Sequence, residues 1–234
     1  MNYKDIPIFI NSYNRPTFLM QLVYKLHSMG YDNLIIIDNQ STDLITPLFL
    51  KNCGYKYWVA NKNYGHNVIW DLDILDKFGY KDSYYVYTDC DVIPHDDCPS
   101  DFMEVFYNIL ITFSNIDKVG FGLEYKNLPN HYKRKKDVET WEMQYWISSN
   151  VDLKLQVPFY KAAIDTTFAL YAPEKSKHSL NAIRTGNPYV AKHLPWYENS
   201  SKPYFELENY RKTILPNESS WETPELNKIR LWER

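Results

Sequence analysis

Tyr84-Tyr85-Val86-Tyr87-Thr88-Asp89-Cys90-Asp91-Val92-Ile93-Pro94 is the most telling run in the sequence. Aromatic and β-branched residues run without a break into two carboxylates and a proline, the pattern of a short strand that ends in an acidic turn. In an extended chain residues i and i+2 share a face, so Asp89 and Asp91 are expected to point the same way. Two carboxylates that close repel each other, and a cation between them relieves the repulsion. Oxygen ligands of this kind suit Mg²⁺ or Mn²⁺, which can in turn hold a diphosphate. The bland alternative is a solvated acidic turn that caps the next segment.

Upstream, three strand–helix units lead to this stretch. Residues 6–10 form an apolar run, and Phe18, Leu19, Leu22, Val23, Leu26 and Met29 then recur at helical spacing. Pro16 suits the first helical position behind Asn14 or Arg15, and Gly30 suits the stop. Residues 34–37 are consecutive aliphatics, as in a parallel strand buried on both faces. A short helix capped by Ser41 or Thr42 is expected to run to Asn52, followed by a third strand over 55–59. Val68, Ile69, Leu72, Leu75 and Phe78 predict one further amphipathic helix. This alternation describes a parallel, doubly wound α/β sheet, which binds ligands beyond the carboxyl ends of its strands. Those ends are residues 11–15, 38–43, 61–67 and 89–91, all of them polar. Neither the G-x-G-x-x-G dinucleotide pattern nor a P-loop is present.

Downstream the rhythm is less regular. A helix is expected over 102–113, a strand over 119–123, a basic loop over 127–137 and a helix over 138–146. Strands over 153–159 and 167–171 are expected to pair around the loop 160–166. The tail from Glu198, with Pro203, Pro216 and Pro224, is expected to wrap the surface.

A chain of 234 residues is long enough for a substantial core, and 44% hydrophobic with 24% charged residues is an ordinary globular composition. A net charge of −3 gives no reason to expect a nucleic-acid partner. The basic run Lys133-Arg134-Lys135-Lys136 reads first as a solvated loop. Its alternative reading is a peripheral contact with phosphates or acidic lipid headgroups. Three cysteines without C-x-x-C spacing argue against a disulfide framework or a zinc site and for a reducing compartment. No signal-peptide apolar region opens the sequence and no apolar run reaches the length of a membrane span, so a cytoplasmic location is expected.

Four further positions carry candidate chemistry. Asp38 ends a buried strand, where it is read either as an acceptor for a base or ribose or as the start of an Asx-turn toward Gln40 or Ser41. Asp165, in Ala162-Ala163-Ile164-Asp165-Thr166-Thr167, is read either as a general base or as a carboxylate satisfied by a neighbouring threonine. Glu142, beside Trp141, is the second choice of base. His193 has room on a metal that already carries carboxylate and phosphate oxygens, and Arg184 and Lys192 nearby are candidates for diphosphate oxygens.

Ser12-Tyr13-Asn14-Arg15-Pro16, Asp38-Asn39-Gln40-Ser41-Thr42-Asp43 and Thr88-Asp89-Cys90-Asp91 together resemble the motifs of the GT-A glycosyltransferases, particularly the family 2-like group. The later segments 164–167 and 193–197 look like those of small bacterial and viral members. The E-D pair and Q/R-x-x-R-W motif of many family 2 members are not evident.

The resemblance implies a GT-A fold: a Rossmann-like, mainly parallel sheet with helices on both faces and a mixed C-terminal acceptor half. Residues 1–98 would form the nucleotide-sugar half and 99–234 the acceptor half of one continuous domain. It also implies a transferase of polysaccharide biosynthesis that moves a sugar from a nucleotide diphosphate donor, UDP favoured, to a glycan or glycoconjugate hydroxyl. Ser12, Tyr13, Arg15, Asp38, Asn63, Gly65, Asp89, Cys90, Arg184 and Lys192 are the donor-contacting candidates. Asp89, Asp91 and His193 are the candidate ligands of Mn²⁺ or Mg²⁺, and Asp165 falls where inverting members carry the base. A haloacid-dehalogenase-like phosphatase and an inactive sugar-nucleotide-binding protein are the competing readings.

Overall fold

The computed structural model describes residues 2–147, 150–151, 157–173 and 181–214. The N-terminal half is β1 (Ile8–Ser12), α1 (Pro16–Ser28), β2 (Leu34–Asp38), α2 (Ile45–Asn52), β3 (Lys56–Val59) and β4 (Tyr85–Asp89). The four strands are parallel and lie in the order β3-β2-β1-β4. β1 and β2 are buried along their whole length, the apolar runs 8–10 and 34–37 as expected and the polar ends Asn11, Ser12 and Asp38 with them. Alternation divides them between two layers. Ile8, Ile10, Leu34, Ile36 and Val86 pack toward α1 and α5 (Phe102–Thr112). Phe9, Ile35, Ile37, Tyr85 and Tyr87 face Val68, Ile69 and Ile74 on the other side.

Three local expectations need correction. The single helix expected across residues 68–78 is two short ones, α3 (Val68–Asp71) and α4 (Ile74–Lys77). Asp73 between them takes a left-handed conformation (φ 50°), which the i→i−4 ladder cannot pass through. At α2 the cap is neither Ser41 nor Thr42. Asp43 accepts from the backbone N–H of Ile45 (2.8 Å) and Thr46 (2.7 Å). The basic segment 127–137 is not a loop throughout, because α6 (Lys135–Met143) takes in Lys135 and Lys136.

The rest of the chain extends the same sheet. It contributes β5 (Val92–Pro94), α5, β6 (Lys118–Leu123), α6, β7 (Asn150–Val151), β8 (Pro158–Lys161), β9 (Ala169–Tyr171), β10 (Ala182–His193) and α7 (Phe205–Thr213). Among the described residues the order continues from β4 as β9-β6-β10-β8-β7, with parallel and antiparallel pairs mixed. The strands expected to pair around the 160–166 loop do not pair with each other, and residues 153–156 of the first lie outside the described residues. β9 is inserted antiparallel between β4 and β6, while β8 joins β10. Gly120 on β6 permits this insertion, since a Cβ there would collide with the Phe168 carbonyl.

β10 positions the site. Its pairing with β6 shifts register between Thr185 and Val190, and its last residues pair antiparallel with β5. The tail does not merely wrap the surface: α7 forms over 205–213 and buries Leu207. Pro216 and Pro224 lie outside the described residues. No described helix is long and apolar enough to cross a membrane.

Candidate active site

The order β3-β2-β1-β4 makes the gap between β1 and β4 a topological switch point. The chain winds outward from β1 to β3 and returns on the other side of β1. Ligands of open α/β sheets bind at the carboxyl ends beside such a point. Register aligns Asn11 with Asp89 and Ser12 with Asp38, so the polar strand ends meet there.

Asp89 and Asp91 do not share a face in the manner of a strand. β4 ends at Asp89, and Cys90 and Asp91 form the turn into β5. The two carboxylates have different surroundings. Asp89 accepts from Asn11 Nδ2 (3.0 Å) and from Thr166 Oγ1 (2.8 Å), one bond to each oxygen. Burial, and then the charge of Asp91, push its pKa up to about 7. Asp91 faces the C-terminal half. Its Oδ1 is buried, makes no hydrogen bond among the described residues, and lies 3.7 Å from His193 Nε2. The antiparallel β5–β10 pairing, which sets His193 opposite Val92, brings the histidine here from a hundred residues away. Leu194 N–H donates to the Asp91 carbonyl (2.8 Å) and closes the arrangement.

Among the described residues no third His, Cys, Asp or Glu completes a cluster around this pair. A carboxylate oxygen without a hydrogen bond beside an imidazole nitrogen still fits Mn²⁺ or Mg²⁺. Such ions are commonly held by one or two protein ligands, with phosphate and water oxygens completing the sphere.

Asp38 is buried and its Oδ1 accepts from Ser41 N–H (3.1 Å), a local bond to the backbone three residues on; burial raises its pKa. Asn63 Oδ1 accepts from Gly65 N–H (2.8 Å), and the Gly65 carbonyl accepts from Asn39 Nδ2 (2.9 Å). Both loop residues therefore shape the 61–67 turn. Ser12 and Cys90 are buried at the ends of β1 and β4.

Arg15 is 2% exposed, with its guanidinium carbon 3.9 Å from the Tyr210 ring centroid and Nη1 3.4 Å from Glu198. Tyr13 donates its hydroxyl to the Thr213 carbonyl (3.0 Å). The first-strand turn is thus covered by the tail.

Arg184 and Lys192 are not gathered with the others. Arg184 Nη1 pairs with Glu142 Oε2 at 2.8 Å, both side chains buried, and Nε donates to the Ala163 carbonyl (2.8 Å). Lys192 is one residue from His193 on a strand, hence on the opposite face, and pairs with Asp96 (2.7 Å). Glu142, the second choice of base, is committed to Arg184.

Asp165 departs from the apolar surroundings its sequence neighbours suggested: it is exposed, because the 162–168 loop turns its carboxylate outward. The loop itself is pinned by Thr166 to Asp89, by Arg184 to the Ala163 carbonyl, and by Lys118 Nζ to the Asp165 carbonyl (3.3 Å). Thr166, a candidate partner of Asp165 in the sequence, bonds Asp89 instead, and neither that contact nor those of Asn11 and Tyr210 has a sequence signature. Single polar residues without a motif carry no signal until the topology brings them to one place.

Lys118 supplies a stability test of this loop. Burial lowers its pKa from 10.5 to about 8, with Asp165 opposing. Between about pH 8 and 10 the unfolded chain keeps this proton and the folded chain releases it, so stability rises with pH. The rise attributable to Lys118 is at most about 3 kcal/mol. Denaturant unfolding of wild type and Lys118→Met across this range should show the rise in the wild type alone; parallel profiles would contradict the burial of its charge.

No protein-family model matches the sequence, and no curated protein matches it. Solved structures do. Glucosyl-3-phosphoglycerate synthase from Mycobacterium tuberculosis, in complex with Mn²⁺, UDP and glucosyl-3-phosphoglycerate, aligns at TM-score 0.40 and 13% identity, covering 71% of this chain and 56% of that one. The same enzyme with Mn²⁺ and UDP-glucose aligns at TM-score 0.36 and 15% identity, covering 53% and 45%. A cytidylyltransferase from Leptospira borgpetersenii serovar Hardjo-bovis aligns at TM-score 0.36 and 12% identity, covering 53% and 56%. These alignments span about half the length of the proteins matched.

Proposed function

We propose that this chain is a metal-dependent glycosyltransferase that moves a sugar from a nucleotide diphosphate, UDP favoured, to a hydroxyl of a glycan, glycolipid or glycoprotein, with inversion. The observation that carries the reading is the buried Asp91 oxygen, without a hydrogen bond among the described residues and 3.7 Å from His193 Nε2, at the switch point of the sheet. Asp91 and His193 would hold Mn²⁺ or Mg²⁺, and the bound ion would neutralise the diphosphate as it leaves.

The chain's own residues supply the rest. Tyr13, Arg15 and Asp38 at the ends of β1 and β2 are the candidates to receive the base and ribose. Asp89, held by Asn11 and Thr166, orients the loop that carries Asp165. Asp165 is the exposed carboxylate of that loop and takes the acceptor proton. The phosphatase alternative needs a free first aspartate as nucleophile, and both oxygens of Asp89 are engaged.

A thermal-shift panel of UDP-, GDP- and dTDP-sugars tests the reading. One donor should raise the melting temperature with Mn²⁺ and little without it. Saturation to a hundred times Kd corresponds to about 2.7 kcal/mol. His193→Ala should raise the Mn²⁺ concentration required by at least about tenfold and leave metal-free nucleotide binding alone. An unshifted metal titration would leave His193 only its ring contact with Trp196, 4.7 Å between centroids.

A further inference from the structure

The end of β1 is covered by the chain's own tail. Tyr210 lays its ring on the Arg15 guanidinium at 3.9 Å, and Asn14 Nδ2 donates to Thr213 Oγ1 (2.8 Å). Tyr13 hydroxyl donates to the Thr213 carbonyl (3.0 Å), and Glu206 Oε2 accepts from Thr17 N–H (3.1 Å) at the start of α1. Glu206 therefore caps α1 in place of Asn14 or Arg15, whose side chains do not. Tyr210 is half-buried here. Burial raises its pKa, the Arg15 charge opposes, and the charges of Asp91 and Asp89 add to the rise.

α7 is nonetheless held lightly. It buries one apolar side chain, Leu207, while Phe205 is 81% exposed. A helix that docks through polar contacts and one ring, with little apolar area behind it, belongs to the parts of a fold that open at low cost.

We propose that α7 is a displaceable cap on the nucleotide site, with Tyr210 occupying on Arg15 the place that a nucleoside diphosphate's base takes when it binds. The inference rests on reading the switch point as a donor site and adds its regulation: donor binding and docking of α7 compete for Arg15 and the Tyr13–Asn14 turn. A ligand that binds only the undocked form has its apparent affinity reduced by the fraction undocked, so loosening α7 tightens binding.

Calorimetry of UDP, GDP and CDP with Mn²⁺ tests this on the full chain. Tyr210→Ala should tighten the nucleotide that binds by roughly tenfold, the scale of one desolvated cation–ring contact. Thr213→Val, which keeps the ring and removes the hydroxyl's bonds to Asn14 and to the Asn209 and Tyr210 carbonyls, should tighten it less and guards against a folding defect in the first variant. Hydrogen exchange in the wild type should show the amides of residues 207–213 losing protection when the nucleotide is added. Equal or weaker affinity in both variants, or retained α7 protection, overturns the cap and leaves the donor site standing. Failure of every nucleotide to bind wild type and variants alike overturns the donor site and the cap together.

Discussion

Asp165→Asn is expected to leave donor binding intact and to lower transfer by about 10²–10⁴-fold, the range that one general base supplies. The acceptor hydroxyl is a poor nucleophile until its proton is taken as the bond to the anomeric carbon forms. Neighbouring acids are otherwise engaged: Asp89 by Asn11 and Thr166, and Glu142 by Arg184. Asp165 is exposed on a loop whose backbone is fixed at Ala163 and Asp165 by two buried cations, Arg184 and Lys118. The backbone that carries its side chain is therefore held in place, while the residue stays open to solvent. Asparagine keeps the shape and removes the basicity, so the loss belongs to the chemical step. Single-turnover transfer at saturating donor, with NMR of the product's anomeric configuration, makes the check. Near-wild-type turnover or a retained configuration would sink the assignment.

The second large effect is at Asp91. Asp91→Ala should abolish the Mn²⁺-dependent part of donor binding, with any metal-free affinity unchanged. The side chain makes no hydrogen bond through Oδ1 among the described residues, so its removal leaves little of the protein unsatisfied. Denaturant midpoints of the variant should stay near those of the wild type, separating a binding defect from a folding one. Calorimetry with and without Mn²⁺ gives the answer; an unchanged metal-dependent heat would remove Asp91 from the site.

The parallel half of the sheet is legible because β1 and β2 open with apolar runs, residues 8–10 and 34–37, and helix α1 carries its apolar stripe between Pro16 and Gly30. Two-sided burial leaves such a signature in any short window of sequence. The C-terminal half was less legible, since its strands are short and its pairings non-local. β9 sits between β4 and β6 for reasons of space at Gly120, which no periodicity encodes.

The same division holds at the site. Asp89, Asp91 and Asp38 stand where strand ends put them, so they could be named in advance. The alternation rule failed one residue later, because β4 stops at Asp89 and the chain turns. Arg184 and Lys192 were drawn toward phosphate by proximity in sequence to His193, yet each has an acid of its own in Glu142 and Asp96. The tail's hold on Arg15 joins residues nearly two hundred apart, and only the fold reveals it.

In the proposed reaction the bond between a sugar and a nucleoside diphosphate breaks with the help of a divalent ion. The most direct measurement incubates the purified wild type with UDP-, GDP- and dTDP-sugars, with Mn²⁺ and with chelator, and quantifies nucleoside diphosphate and inorganic phosphate together. Nucleoside diphosphate should be released from one donor in the presence of Mn²⁺ and not with chelator, and no inorganic phosphate should form. Phosphate release, or no metal-dependent release from any donor, would contradict that reaction.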